Sequence, residues 1–127
     1  MWNPPLVLIV DDNDRNRKLA GDVLRLARFR TIEAATAAEG IALAFKHLPD
    51  VILMDLRLPD LDGTEAARIL RAEPGTSRIP VVAVTALPVD AHDVWLFEAG
   101  FVGYILKPID IDAFPDVVRG FCARSPD

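Results

Sequence analysis

Four short apolar runs in this chain each end on a polar side chain. Leu6–Val10 runs into Asp11 and Asp12, Val51–Met54 into Asp55, Val81–Val84 into Thr85, and Tyr104–Leu106 into Lys107 and Pro108. Runs this short, and this rich in Val, Ile and Leu, read as strands buried in a parallel sheet. Ligands of an open α/β sheet bind outside the carboxyl ends of its strands. The pattern therefore gathers three carboxylates, a hydroxyl and an amine, all distant in sequence, at one sheet edge.

Helical patterns separate the runs. Asp14 to Ala27 carries Leu19, Val23 and Leu26 at helical spacing, and Ala37 to Leu48 carries Ile41, Ala44, Phe45 and Leu48 before Pro49. Arg30 to Ala34 reads as a further strand. Asp62 is placed to cap a helix over 62–72 with Ala66, Ile69 and Leu70 inward. Pro74 to Ser77 is a loop, Asp90 to Ala99 is a helix stopped by Gly100, and Ile111 to Cys122 closes the pattern. In that last helix Ile111, Phe114, Val118 and Phe121 are expected to face in, with Pro115 in the first turn. Strand and helix alternate five times. The expected architecture is α/β, a five-stranded parallel sheet with helices on both faces joined by right-handed crossovers.

Length and composition narrow the class. The 127 residues fit one domain, read as 1–127, and the 51% hydrophobic and 26% charged content is that of a globular protein. A formal charge of -5 supplies no basic excess for nucleic acid. Arg15, Arg17 and Lys18 cluster, but they alternate with polar residues early in a helix and read as a solvated face. Cys122 is the single cysteine, which excludes an internal disulfide and suits a packing role. No apolar stretch approaches the ~20 residues of a membrane span, and no signal peptide is visible. The expected location is cytoplasmic. His47 suits a helix end, and neither it nor His92 has a second histidine at ligand spacing.

The strand ends carry the chemistry. Asp11 or Asp12 alone could cap the following helix, but capping needs one acid and leaves three unexplained. Crowded carboxylates repel, and a divalent cation that prefers oxygen ligands, Mg²⁺ or Mn²⁺, relieves the repulsion. Lys107 can neutralise a carboxylate or a phosphoryl oxygen, and Thr85 can donate a hydrogen bond. Carboxylate, metal, hydroxyl and lysine together make a phosphoryl-transfer site in which the carboxylate can act as nucleophile.

The chain resembles the receiver domain of two-component response regulators over essentially its whole length. The matching elements are Asp11-Asp12 after the first strand, Met54-Asp55 followed by Leu58-Pro59 and Asp62-Gly63, Thr85-Ala86, and Lys107-Pro108 shortly after Tyr104. The strand phrases ending on Asp55 and Thr85 are most similar to stand-alone receivers and those of hybrid kinases. The resemblance implies a flavodoxin-like sheet of order 2-1-3-4-5 with five helices. It implies that Asp55 accepts a phosphoryl group from a histidine kinase or histidine phosphotransfer protein. Asp12, Asp55 and the backbone carbonyl of Arg57 would hold Mg²⁺, with Asp11 reaching it through water. Thr85 and Lys107 would bind phosphoryl oxygens, Thr85 and Tyr104 would switch, and the Lys107–Pro108 bond would be cis. Such a chain is a phosphoprotein and not an enzyme, beyond self-phosphorylation and self-dephosphorylation.

Two features depart from the common pattern. Arg57 and Leu87 flank the expected path of an attacking water, and a leucine cannot orient one; slow self-dephosphorylation is expected, unless Arg57 simply points to solvent. Val94-Trp95-Leu96-Phe97 is apolar on consecutive helical positions, so all four cannot face the core. Leu96 fits the buried stripe with Ala99, which leaves Trp95 and Phe97 for a partner face, with Trp2 and Val89 nearby. In the resembling family the fourth helix, fifth strand and fifth helix form the face where receivers pair or dock, so a homodimer or partner protein is expected there, and no membrane or nucleic acid. The rival function is a small Mg²⁺-dependent aspartate-nucleophile phosphatase. Such hydrolases resemble Asp-x-Asp at the nucleophile, whereas Met54-Asp55-Leu56-Arg57 has no second acid two residues on. A flavin or nucleotide binder would need a Gly-rich loop where Asp11-Asp12-Asn13-Asp14 stands. Ser125-Pro126-Asp127 reads as a tail or the start of a linker.

Overall fold

Five parallel strands lie in the order β2-β1-β3-β4-β5: β1 Leu6–Val10, β2 Arg30–Ala34, β3 Val51–Asp55, β4 Val81–Thr85 and β5 Phe101–Leu106. Helices α1 Asp14–Leu26, α2 Ala37–His47, α3 Gly63–Ala72, α4 Val94–Ala99 and α5 Phe114–Phe121 connect and close them. This computed structural model describes residues 3–86 and 94–122. The expected helix start at Asp90, and Trp2, Leu87, Val89, His92 and Ser125 to Asp127, lie outside the described residues.

Strand side chains alternate between the two sheet faces. Val7, Ile9, Val51, Leu53 and Val82 pack with Leu24 of α1 and with Phe114 and Val118 of α5. Leu8, Val10, Ile52, Met54 and Ala83 pack on the other face with Ala44 of α2, Leu70 of α3 and Leu96 of α4. β3, at the centre, is buried along its whole length, and this explains its unbroken apolar run.

The helices differ from expectation in phase more than in position. The buried line of α1 is Ala20, Gly21 and Leu24, while Leu19 is 41% and Leu26 is 87% exposed. In α2 the buried residues are Ala37, Gly40 and Ala44; Phe45 turns outward, and Leu48 ends the helix in the left-handed region at φ 48. Ile69 and Ile111 are likewise exposed, and α5 begins at Phe114, after a turn and with Pro115 in its first turn. In α1 and α2 small residues take much of the contact line, because Ala and Gly let a helix sit close on a sheet whose own Val, Ile and Leu fill the space, whereas Ala66 and Leu70 of α3 and Phe114 and Val118 of α5 face in as expected. Asp62 caps α3 as expected, its carboxylate accepting from the Thr64 N–H at 2.9 Å. Gly100 ends α4 at φ +111, a conformation that favours glycine.

Candidate functional site

Sheet register brings the predicted residues together. Val10 pairs with Met54, so Asp11 and Asp55 emerge from adjacent strands, and Asp55 itself pairs with Val84. Thr85 pairs with Leu106, and the Lys107 N–H donates to the Thr85 carbonyl at 2.8 Å. Asp11, Asp55 and Lys107 continue the alternation of Ile9, Leu53 and Ile105, and so leave their strands toward the α1 and α5 face. The Lys107–Pro108 peptide bond is cis.

The Lys107 ammonium lies 2.8 Å from Asp55 Oδ2 and 3.1 Å from Asp11 Oδ2. Burial pulls the amine's pKa down, but the carboxylates of Asp55 and Asp11 outweigh that and hold it above its ordinary value. Asp55 Oδ1 accepts from the Arg57 N–H at 3.0 Å, and Asp11 Oδ1 accepts from the Asn13 N–H at 2.9 Å. Asp11, Asp55 and Thr85 are buried, whereas Asp12 is exposed. The acceptor loop is held tightly at its far end. The Gly63 N–H donates to the Leu56 carbonyl at 3.0 Å, and a Cβ on Gly63 would stand 2.6 Å from the Asp55 carbonyl oxygen.

Carboxylate oxygens of Asp11, Asp12 and Asp55 lie within 4.8 Å of one another. Three carboxylates against one ammonium leave two negative charges. At such a separation each like-charge pair costs about 3 kcal/mol at an effective dielectric of roughly 20. An all-oxygen donor set with this residual charge fits a divalent cation of the Mg²⁺ or Mn²⁺ class. Capping does not account for the acids, because Asn13 is the N-cap of α1 and accepts from the Asn16 N–H at 2.9 Å.

The remaining predicted residues fall around this centre. Tyr104 is 41% exposed on β5, with Val102 and Leu106 exposed on the same side of that strand. Arg57 is exposed, its side chain turned to solvent. Leu96 and Ala99 of α4 are buried, and Trp95 and Phe97 are exposed, as the consecutive apolar positions require. The two aromatics do not form one patch. Phe97 lines a groove against α3 with Arg68, Arg71 and Val94, and Trp95, about 200° around the helix, leaves on the opposite flank. An apolar recess of about 340 Å³ opens beside Asp11 and Lys107, walled in part by Leu19, Pro108, Ile109 and Phe114. Cys122 is half-buried, and burial first, then Asp50, pushes its thiol up to about 11.

Two residues near the site escape detection in the sequence. Arg17, grouped there with Arg15 and Lys18 as a solvated face, has a side chain only 17% exposed, and it donates to the Asp11 carbonyl at 2.7 Å. Asp60 accepts from both the Ala37 and Ala38 N–H groups at 2.9 Å, tying the acceptor loop to the start of α2. Those two N–H groups hold its pKa below the ordinary value. The i,i+3 spacing of Asp14 and Arg17 was the available signal for the first; the second spans distant segments and had none.

The chain is similar to known proteins in sequence and in fold. The family model described as the response regulator receiver domain matches residues 7–119. The polar-differentiation response regulator DivK of Brucella anthropi is 35% identical over 118 residues, covering 93% of this chain and 96% of its own. The receiver domain of the sensor histidine kinase PA1611 from Pseudomonas aeruginosa PAO1 has a magnesium ion coordinated in its active site cleft. It superposes with a TM-score of 0.84 at 29% identity, covering 94% of this chain and 98% of that one. The chemotaxis response regulator CheY4 of Vibrio cholerae, at 24% identity and a TM-score of 0.88, shares the fold over 94% of this chain and 99% of its own.

Proposed function

This chain belongs to the response regulator receiver domain family, and on that premise we propose that it is a phosphoacceptor signalling domain with Asp55 as the acceptor. The observation that carries the reading is the single ammonium of Lys107 held between Asp55 and Asp11 at the centre of the strand ends.

An Asp55 carboxylate oxygen attacks the phosphorus of a phosphohistidine on a kinase or phosphotransfer protein. The P–N bond breaks, the imidazole leaves with its electron pair, and an acyl phosphate remains on Asp55. Lys107, already charged and aimed, pairs with a phosphoryl oxygen, and the Thr85 hydroxyl binds another. Asp12, Asp55 and the backbone carbonyl of Arg57 would hold Mg²⁺ or Mn²⁺, with Asp11 acting through water. Bound there, the cation supplies charge neutralisation for the phosphoryl group. The apolar recess beside Asp11 and Lys107 gives the donor protein a surface to seat on without adding charge to a crowded centre. A phosphohistidine donor of this kind works in the cytoplasm, and among the described residues no helix is long and apolar enough to cross a membrane.

Thr85 and Tyr104 form the switch, relaying the state of Asp55 to the face built from α4, β5 and α5. Trp95 on α4, with the exposed Val102, Tyr104 and Leu106 of β5, supplies the apolar surface for a second copy or a partner protein. Phe97, in the groove on the α3 side of the helix, lies outside this surface. Leu87, which offers no group to orient water, slows the loss of the phosphoryl group, whereas Arg57 turns to solvent and is given no part in it.

The test is acetyl phosphate with Mg²⁺, read by intact mass and by sedimentation. The expected result is one phosphoryl group per chain in the wild type and none in Asp55→Asn. Association on labelling is expected to weaken in Trp95→Ala, and the label is expected to be lost faster in Leu87→Glu. Steady turnover of p-nitrophenyl phosphate without stoichiometric label would instead favour the phosphatase. A monomer in every sample removes the dimer, and an unchanged lifetime in Leu87→Glu removes the role of Leu87.

A further inference from the structure

We propose that Arg17 is a positioning residue for the acidic turn Asp11–Asn13, fixing the carboxylates that face the phosphoryl site without itself touching the ligand. The inference rests on the receiver reading only for its metal arm.

The guanidinium joins three segments. Nη1 donates to the Asp11 carbonyl at 2.7 Å, Nη2 pairs with Asp14 at 2.6 Å on α1, and Nε lies 3.3 Å from Glu33 Oε1 on β2. Asp11 is otherwise tethered by its N–H to the Ala34 carbonyl at 3.1 Å and by its carboxylate to the Asn13 N–H and Lys107. The bond from Arg17 completes the set by taking the Asp11 carbonyl. This backbone oxygen sits where the chain leaves β1 and reverses into α1, so its direction sets where Asp12 points. Asp14 above all, against the opposing pull of burial, and then Glu33 hold the guanidinium charged.

A planar fork with several fixed donors can hold a carbonyl and two carboxylates at once, and a lysine cannot.

The neighbouring Arg25 provides an internal control. It too leaves α1 toward Glu33, at 3.5 Å, and pairs with Asp22 and Thr31, but its hydrogen bonds do not include Asp11. Arg17→Ala and Arg25→Ala therefore remove the same charge and a similar α1–β2 link, and they differ in the bond to Asp11.

The experiment uses Mg²⁺ titration by calorimetry together with amide exchange at Asn13 by NMR, on the wild type, Arg17→Ala, Arg17→Lys and Arg25→Ala, with urea unfolding to confirm that each is folded. Expected are a roughly tenfold or greater loss of Mg²⁺ affinity and faster Asn13 exchange in Arg17→Ala, only partial recovery in Arg17→Lys, and values within about twofold of wild type in Arg25→Ala, by analogy with the effect of outer-shell partners on metal sites. Equal shifts in Arg17→Ala and Arg25→Ala would assign the effect to charge and overturn the proposal, as would wild-type values in Arg17→Ala. If the wild type binds no Mg²⁺, the metal reading fails, and the Asn13 exchange still decides whether Arg17 positions the turn.

Discussion

Lys107 is the residue on which the electrostatics of the site turn. Its ammonium faces two carboxylates and its pKa is raised, so the folded state binds this proton more tightly than the unfolded chain does. The stabilisation is fully present below the ordinary value of 10.5 and is lost as the pH rises through the higher folded value. In urea unfolding, the stability difference between the wild type and Lys107→Met is expected to be flat from roughly pH 7 to 9 and to narrow above the ordinary lysine range. A difference that widens at high pH would contradict the pairing. Asp11, Asp12, Asp55, Thr85 and Lys107 could be found in the sequence because each follows an apolar run, and a strand end has a fixed address in a parallel sheet. Arg17 had no such address. Its function depends on the rotation of α1, and a charged residue in a first turn looks the same whether it meets solvent or a backbone carbonyl.

Helix rotation is where the sequence was least legible at the scale of elements. Existence and order followed from the alternation of apolar runs and caps, and the sheet order 2-1-3-4-5 is as the family resemblance implied. The buried faces followed only in part: Ala44, Ala66, Leu70, Phe114 and Val118 face in as expected, but the lines of contact also run through Ala20 and Gly21 in α1 and Ala37 and Gly40 in α2. Small residues carry little hydrophobic signal, while larger ones such as Leu26 and Phe45 carry much and lie outside. A pair of substitutions on α1 separates the two assignments. Leu24→Ala removes a fully buried side chain and is expected to cost about 2–5 kcal/mol. Leu26→Ala, at a residue 87% exposed, is expected to stay within about 0.5 kcal/mol of wild type. Equal losses in urea unfolding would mean that α1 is rotated from the arrangement described.

The whole molecule divides its labour between two edges of one sheet. Core layers on both faces hold β3 rigidly, and this rigidity fixes Asp55 against Lys107. The open edge at β5 and α4 keeps apolar side chains in solvent, where a partner would read the proposed switch at Thr85. The fold and family are those of receiver domains, and the central claim is narrower: the phosphoryl group is carried by Asp55. The direct measurement is transfer from a phosphohistidine donor, followed by borohydride trapping and peptide mass spectrometry. Reduction of Asp55 alone to homoserine is expected, dependent on the donor and absent in Asp55→Asn. Trapping at Asp11 or Asp12, or an undiminished label in Asp55→Asn, would contradict it.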